Sequence, residues 1–418
     1  MSTETSEKVA VAEVIQAQIL ETSEQYRPAA NRGALVFFLM NELNKIHSFY
    51  RFSLDSFVIV VNRAIDIVAD RLNPKKQKAL EAAAAGEGEA KPEGEEGEEA
   101  AAEAEEEEEE EEAEMTPRTL AKRVEMILES ITFEGFSYTR RGTFEDHKIV
   151  VATMLTLRIN VRKGLIKQDE VTALIKKEVA LDPPPMSDQL AKFIPEAIWP
   201  AIIGLQSVKL FENLVASMES ENLQWKKWYG DEKAELAELP KSFKDTSLFH
   251  RILLLRALRP DRLNGALTQY VTESLGIDYI EQPSFNMQIV YDEMTLKTPA
   301  FFVLFPGVDP TPDVERVGAK YGKVDSDKSF HNISMGQGQE QIALNALKDA
   351  AKAGNWLMIQ NVHLMIEWMR DFERALEIAI EDDCHPDFRC FISSEKPGLP
   401  HQEIIPESIL QNSIKVSN

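Results

Sequence analysis

Residues 300–311 (AFFVLFPGVDPT) place a glycine turn between an apolar strand and a predicted helix. In nucleotide-binding proteins this position holds phosphate, because backbone N–H groups and the helix N-terminus point at it. A working phosphate loop has the pattern GxxxxGK[ST], whose lysine contacts phosphate and whose hydroxyl binds Mg²⁺. The chain's only Gly-Lys pair, Gly322-Lys323, precedes Val324, and position 317 is Val317. The sequence therefore predicts a strand, turn and helix without a working phosphate loop.

The loop after this strand contains the positions of a degenerate nucleotide site. These are Gly307, Val308, Asp309, Pro310 and Thr311. We expect Thr311 to cap the next helix, with Pro312 at its first position. The two prolines lack the N–H groups that would bind phosphate. The carboxylates of Asp309, Asp313 and Glu315 complement the positive helix N-terminus and would repel phosphate.

A second test is the strand that would hold Mg²⁺ and activate water. In an active ATPase of this architecture it ends in Asp-Glu. Here residues 354–359 (GNWLMI) lead into Gln360 and Asn361. Amides carry no charge for Mg²⁺ and cannot act as a general base. We therefore predict no catalytic residue, and ATP turnover or vestigial nucleotide binding is the less favoured interpretation.

Other candidate sites are weaker. Arg256, Arg259 and Arg262 lie at every third position around a helix end, which indicates charge pairing there or, alternatively, contact with a neighbouring module. The sequence Cys384-His385 with Cys390 lacks a fourth zinc ligand at a familiar spacing, so no metal site is predicted. Trp225 and Trp228 are interpreted as packing residues.

The composition limits the classes of partner. The net charge is −24, but 18 Glu and 1 Lys in residues 81–114 give −17, leaving −7 for the rest. Neither nucleic acid nor an anionic membrane is expected as a partner. No apolar run is long enough to cross a bilayer, and two cysteines do not make a disulfide framework.

The elements around these motifs divide the chain. Helical spacing predicts a helix over 8–30 that ends at Tyr26-Arg27-Pro28, and another helical segment over 34–69 whose second half is capped by Ser53. Helical spacing also extends over residues 120–131, 144–166 and 194–275. The last of these ranges includes a helix predicted over 247–258. Strands are predicted at 286–290, 301–305, 332–334, 356–359 and 388–392, with helices at 312–322, 338–353 and 364–380.

Strands that alternate with helices of this length predict an α/β fold with a parallel sheet, preceded by helical segments. Residues 74–114 are different, because glycine, alanine and glutamate cannot bury enough apolar area to order the chain. They are interpreted as a solvated disordered insert or a frayed acidic helix. The alternative interpretation is an acidic arm that binds a basic partner.

Several stretches resemble the sixth AAA+ module of a dynein heavy chain. They are 254–262 (LLRALRPDR), 302–315 (FVLFPGVDPTPDVE), 334–340 (SMGQGQE), 354–364 (GNWLMIQNVHL), 388–395 (FRCFISSE) and 405–416 (IPESILQNSIKV). Upstream, 26–57 resembles the helices that close the fifth module, and 132–148 (TFEGFSYTRRGTFEDHK) resembles the start of the sixth. An axonemal chain, of the outer-arm beta type, is the nearest resemblance.

The resemblance implies an AAA+ P-loop-like three-layer fold and four segments. Residues 1–73 would end the fifth module, 74–114 form the acidic insert, 115–284 begin the sixth module helically, and 285–418 form its degenerate core. The resemblance implies that the chain is a ring module that does not hydrolyse ATP. The whole protein would be a microtubule motor located in the axoneme, the cytoskeleton and the cytoplasm. ATP and Mg²⁺ are implied for the parent motor alone. Implied partners are the rest of the ring, intermediate and light chains and, indirectly, the microtubule.

Two alternatives remain from other classes. On the first alternative, the chain would be an atypical nucleotide hydrolase. On the second, it would be a stand-alone truncated scaffold that binds partners. We also expect the apolar faces of 8–70 and 250–265, covered by neighbouring modules in a ring, to be exposed in the isolated chain. The isolated chain is therefore expected to self-associate.

Overall fold

The computed structural model describes residues 2–72, 117–281, 283–324, 328–382 and 384–417, so the acidic insert predicted over 74–114 lies outside the described residues. The chain forms two compact units. One combines Met1–Thr143 with Asn286–Asn418, and the other is Phe144–Phe285. The segments predicted as 1–73 and 285–418 thus contribute to one unit. The four predicted segment boundaries themselves stay predictions.

The first unit contains a five-stranded parallel sheet in the order β2-β3-β4-β1-β5. Its strands are β1 (Ala300–Leu304), β2 (Phe330–Ser334), β3 (Trp356–Gln360), β4 (Arg389–Glu395) and β5 (Ile414–Ser417). β1, β3 and β4 are buried along most of their length, as expected for a parallel sheet covered on both faces. The α/β fold class is confirmed. Because all strands are parallel, the loops after β1 and β3 reach the same edge, with β4 between them.

The helices of the first unit lie before and between these strands. They are Ser2–Glu42, Leu54–Leu72, Pro117–Arg141, Met287–Glu293, Thr311–Lys320, Glu340–Ala353, Met369–Glu381 and Glu407–Asn412. The helix predicted to end at Pro28 instead continues to Glu42, so that boundary was wrong. The buried residues Ala29 and Val36 and a 2.8 Å bond from Arg32 to Thr132 hold the helix past the proline. This packing outweighs the roughly 3 kcal/mol that an interior proline costs.

The predicted cap of the second helix is confirmed. The hydroxyl oxygen of Ser53 accepts the backbone N–H of Ser56 at 3.1 Å. Behind it, Phe57, Val60 and Ala64 are buried, and the helix packs on Pro117–Arg141. These two helices therefore form one layer of the unit through ordinary apolar packing.

Two strand predictions need correction. Residues 286–290 are not a strand, because Met287–Glu293 is a helix whose cap, the Asn286 side chain, accepts the N–H of Gln288 at 2.9 Å. A short apolar run fits either period, and the asparagine cap selects the helix. β5 was not predicted from the sequence. It pairs with β1, where Ala300 lies opposite Ile414.

The second unit is helical among its described residues. Its helices are Glu145–Arg162, Gln168–Lys176, Trp199–Leu205, Leu214–Ser220, Asn222–Tyr229, Leu248–Leu258 and Leu263–Leu275. Trp225 and Trp228 are buried with ring centroids 5.7 Å apart, which confirms their packing role. The helix predicted over 247–258 is Leu248–Leu258, and the Ser247 side chain caps it by accepting the N–H of His250.

The exposed apolar face expected at 250–265 is absent from this unit. Ile252, Leu253, Leu254, Leu255, Ala257 and Leu258 are all buried. The expectation was wrong because the remaining helices of the same unit cover this helix on every side. Throughout the described residues, no helix combines the length and the hydropathy needed to cross a bilayer.

Candidate nucleotide site at the sheet edge

The loop after β1 is a tight turn. The N–H of Val308 donates to the carbonyl oxygen of Phe305 at 3.1 Å, and Gly307 has φ of +86°. Proline at the second position and glycine with positive φ at the third are the pattern of a type II β-turn. The turn closes on its own backbone, so it is shaped differently from a loop that wraps phosphate.

The helix after the turn begins one residue away from the prediction. Pro310 is its N-cap and Thr311 its first residue, so the predicted Thr311 cap with Pro312 at the first position was wrong. Asp309 supplies the capping oxygen: its Oδ1 accepts the N–H of Thr311 at 2.9 Å and the Thr311 hydroxyl at 2.5 Å. An aspartate caps more strongly than a threonine because its charge also meets the positive helix end.

The remaining donors of the first helical turn are occupied as well. The N–H groups of Asp313 and Val314 donate to the carbonyl oxygen of Pro310, at 3.1 and 3.2 Å. Pro310 and Pro312 have no N–H to give. A phosphate at this position would therefore meet a carboxylate and no available amide among these residues.

Gln360, at the end of β3, joins this cluster. Its Nε2 donates to Thr311 Oγ1 at 2.6 Å. Thr311 is buried, and its hydroxyl passes the hydrogen-bond chain on to Asp309. The two halves of the predicted degenerate site thus touch directly, side chain to side chain. A phosphate and its Mg²⁺ would lie between the same two elements in an active ATPase.

Asn361 faces the neighbouring strands. It has a left-handed backbone with φ of +56°, and its Nδ2 donates to Ser334 Oγ at 3.0 Å. Its backbone N–H donates to Ser393 Oγ at 3.4 Å. The N–H of Met335 donates to the carbonyl oxygen of Gln360 at 2.8 Å. Sequence reasoning missed Ser334 and Ser393, whose only signal was a hydroxyl in or at the end of a predicted strand.

Comparison with known proteins places this sheet in a family. Residues 295–417 match the family model described as dynein heavy chain region D6 P-loop domain. The chain is 38% identical over 100% of its length to "Dynein alpha chain, flagellar outer arm" of Chlamydomonas reinhardtii, of which it covers 10%. It is 36% identical over 99% of its length to "Dynein axonemal heavy chain 9" of Homo sapiens, of which it covers 8%. Identity to "Dynein beta chain, ciliary" of Heliocidaris crassispina is 33%, again over 99% of the chain and 8% of that protein.

The chain matches a segment of the dynein heavy chains.

The matched residues contain all five strands and every residue of the sheet-edge cluster. The chain spans about a tenth of the length of the relatives it matches. These relatives include both alpha and beta chains, with the alpha chain at 38% and a beta chain at 33% identity. The predicted beta type is therefore not separated from the alpha type.

The three arginines predicted to pair at a helix end lie in the second unit. Arg259 binds both carboxylate oxygens of Asp261 at 2.9 and 2.8 Å and also donates to the carbonyl oxygen of Tyr229. Its hydrogen bond to Asp261 raises the pKa of this guanidinium. Arg256 donates to the carbonyl oxygen of Ile175 at 2.9 Å, and Arg262 lies 3.3 Å from Asp261. All three have partners within the unit, and a contact with another module stays a prediction.

The cysteines are remote from the sheet-edge cluster. Cys390 is buried within β4, and burial raises the pKa of its thiol to about 12. Cys384 is partly exposed, and its thiol lies 3.8 Å from the carbonyl oxygen of His385. In the part of the chain that the structure describes, no three His, Cys, Asp or Glu side chains gather as metal ligands do.

Sequence reasoning missed a charged cluster in the first unit. Arg63 pairs with Glu134 and Glu293, and Arg141 also pairs with Glu293. Burial lowers the pKa of Arg63, but the charges of Glu293 and Glu134 outweigh it and raise the pKa above its usual value. The cluster joins the helices Leu54–Leu72, Pro117–Arg141 and Met287–Glu293. Because its charges are matched, it fits a structural joint better than a catalytic site.

Proposed function

We propose that this dynein heavy chain segment is a structural ring module that does not hydrolyse ATP. The observation that carries the proposal is the hydrogen-bond chain from Gln360 through Thr311 to Asp309. It joins the two elements that would hold phosphate and Mg²⁺. This hydrogen-bond chain contains no lysine to bind phosphate, and the end of β3 carries Gln360 instead of a carboxylate to bind Mg²⁺ or orient water, whereas hydrolysis requires both. The sheet-edge positions Gly307, Val308, Pro310 and Asn361 act here as turn, cap and strand-end residues.

The proposal extends to the whole protein of which such segments are part. We propose that it is an axonemal dynein heavy chain, a microtubule-based motor of cilia and flagella driven by ATP bound at other modules. Its partners would be the remaining modules of the ring, dynein intermediate and light chains and, indirectly, the microtubule. Arg256, Arg259 and Arg262 are proposed to lie near a neighbouring module. The support is that the chain is 38% and 36% identical to a flagellar and an axonemal dynein chain over 100% and 99% of its length.

Steady-state ATP turnover tests the first part. Phosphate release would be measured for the 418-residue chain and for Gln360→Ala under the same conditions. We expect both to match the protein-free background, because β3 ends without a carboxylate in both and neither has a lysine in the turn at residues 307–311. Turnover by the native chain that disappears in Gln360→Ala would contradict the proposal and favour an atypical hydrolase.

An immunoblot of isolated cilia tests the second part. An antibody against residues 331–340 would be used on ciliary and cell-body fractions. Since the chain is 47.2 kDa and covers 10% of one relative, we expect a ciliary band about ten times larger. A band near 47.2 kDa in the cell body alone would contradict an axonemal motor chain and favour a separate scaffold protein.

A further inference from the structure

Gln360 and Asn361 contact three neighbouring elements at the carboxyl edge of the sheet. Gln360 reaches the helix after β1 through Thr311. Asn361 reaches the end of β2 through Ser334 and reaches β4 through Ser393. We infer that these two side-chain amides, the Asn361 backbone N–H and their three hydroxyl partners form a clasp that fixes this edge without a ligand, with the Asp309 carboxylate taking the electrostatic role of a phosphate. The inference deepens the proposed structural role and rests on it.

The direction of the hydrogen bonds determines which residue can stand at position 360. Thr311 has one hydroxyl proton, and it lies on the 2.5 Å bond to Asp309 Oδ1. Thr311 Oγ1 must therefore accept from residue 360, and the Nε2 of Gln360 is the donor at 2.6 Å. A glutamate there would be isosteric but could not donate when ionised. Its charge would also face the Asp309 carboxylate across one threonine.

Position 361 has no such constraint. Asn361 Nδ2 donates to Ser334 Oγ at 3.0 Å, and a serine hydroxyl can both accept and donate. If aspartate replaced asparagine, Ser334 could turn its proton toward the carboxylate. Ser334 is exposed at the strand end, so water also reaches this bond. The clasp therefore predicts that replacing the amide by a carboxylate has a large effect at position 360 and a small effect at position 361.

The Asp309 carboxylate accounts for the electrostatic part. A ten-residue helix begins at Thr311, and its partial positive end attracts a negative group. In an active ATPase that group is phosphate. Here the Asp309 side chain supplies the negative group, and its Oδ1 lies 2.9 Å from the backbone nitrogen of Thr311. The edge is consequently held in the same state whether or not nucleotide is present.

Hydrogen exchange of two isosteric variants tests the clasp. Exchange of the Thr311 and Val314 amides would be followed at pH 7 in the 418-residue chain, in Gln360→Glu and in Asn361→Asp. Losing a hydrogen bond and burying a like charge should raise the exchange rate in Gln360→Glu by roughly tenfold to a hundredfold. Asn361→Asp should change it by less than about threefold. Equal effects of the two substitutions would overturn the inference.

A reversed clasp gives an independent measurement. In Gln360→Glu with Asp309→Asn, the new asparagine can donate to Thr311, whose hydroxyl then donates to the new carboxylate. We expect most of the lost protection to return, to within about fivefold of the native chain. A double variant no better protected than Gln360→Glu would overturn the inference. Should Gln360→Glu fail to fold, Thr311→Val interrupts the same chain of hydrogen bonds and must raise the exchange rate of the Val314 amide. An unchanged exchange rate at Val314 would also overturn the inference.

ATP turnover in these variants separates the clasp from the proposed function. Turnover by the native chain would refute the structural role while leaving the exchange results to decide the clasp. Absence of turnover with equal exchange in both isosteric variants would refute the clasp alone.

Discussion

Two polar clusters in the first unit use opposite chemistry. At the sheet edge, one carboxylate is surrounded by amides and hydroxyls, with Gln360, Thr311 and Asp309 in line. In the charged cluster, two arginines meet two glutamates, and only 7% of the Glu293 side chain is exposed. The edge occupies the place where catalysis would need a carboxylate on β3 and a lysine after β1, and it has Gln360 and Asp309 there instead. The cluster has the charge, but its groups only bind one another.

The difference shows that a concentration of ionisable residues is a poor guide to function in this fold. Perturbed pKa values mark catalytic sites when a charge is left for substrate. In the charged cluster, Glu293 accepts from both Arg63 and Arg141, so its charge is spent on holding helices together. At the edge, the residues are recognised by their position in the sheet, and their hydrogen bonds to one another support the proposed structural role.

The largest expected effect comes from unbalancing the charged cluster. Glu293→Gln leaves Arg63 and Arg141 close together without their shared counter-charge, so we expect a loss on the order of 3 kcal/mol in unfolding free energy. Urea denaturation would measure it. The matched control is Glu407→Gln in the pair Arg51–Glu407, where the glutamate side chain is 62% exposed. That change should cost less than about 1 kcal/mol. Equal losses in the two variants would remove the distinction between a joint and a surface pair.

The buried side chain of Lys415 makes the stability of the first unit depend on pH. Lys415 in β5 donates to the carbonyl oxygen of Ser413 at 3.1 Å and lies over the ring of Phe52. Burial lowers its pKa from 10.5 to about 7. Between these values the unfolded chain holds a proton that the folded chain lacks, so stability rises with pH by up to about 1.4 kcal/mol per unit.

The variant Lys415→Met isolates this contribution. Its unfolding free energy, subtracted from that of the native chain at each pH, should give a difference that changes between pH 7 and 10.5 and is flat outside that window. Urea denaturation at several pH values would provide it. A difference that stays constant through the window would show that Lys415 titrates normally.

A smaller effect is expected on the apolar face of Leu54–Leu72. Leu54 is 57% exposed, Val58 46% and Ile65 38%, and they lie on one side of the helix. We expect the isolated chain to self-associate through this face and Val58→Glu with Ile65→Lys to reduce the association. Light scattering would measure the mass. The control Leu181→Lys changes a fully exposed leucine of the second unit and should have no effect. A native chain that is already a monodisperse monomer would refute this expectation.

The sequence predicted what depends on local pattern. β1, β3 and β4 were predicted from apolar runs, and the cap Ser53 directly precedes helical spacing. The absence of a phosphate-binding lysine and of an Asp-Glu pair could also be read directly from the sequence. These features need only neighbouring residues to define them.

What the sequence did not predict depends on distant partners. The hydrogen bond from Gln360 to Thr311 spans 49 positions, and the pairs of Glu293 with Arg141 and Arg63 span 152 and 230. Nothing near Pro28 indicates that packing carries its helix onward to Glu42. The turn of the Asp309 side chain onto the helix, which displaced Thr311 as the cap, likewise requires the three-dimensional loop.

The most direct test of the central claim is hydrogen exchange of residues 305–314 with and without millimolar Mg·ATP. If the chain's own side chains hold the sheet edge, nucleotide has no site to order, and exchange of the Val308, Thr311 and Val314 amides will be identical in both conditions. Protection of these amides that grows with Mg·ATP concentration would show that the edge still binds nucleotide and would contradict the account.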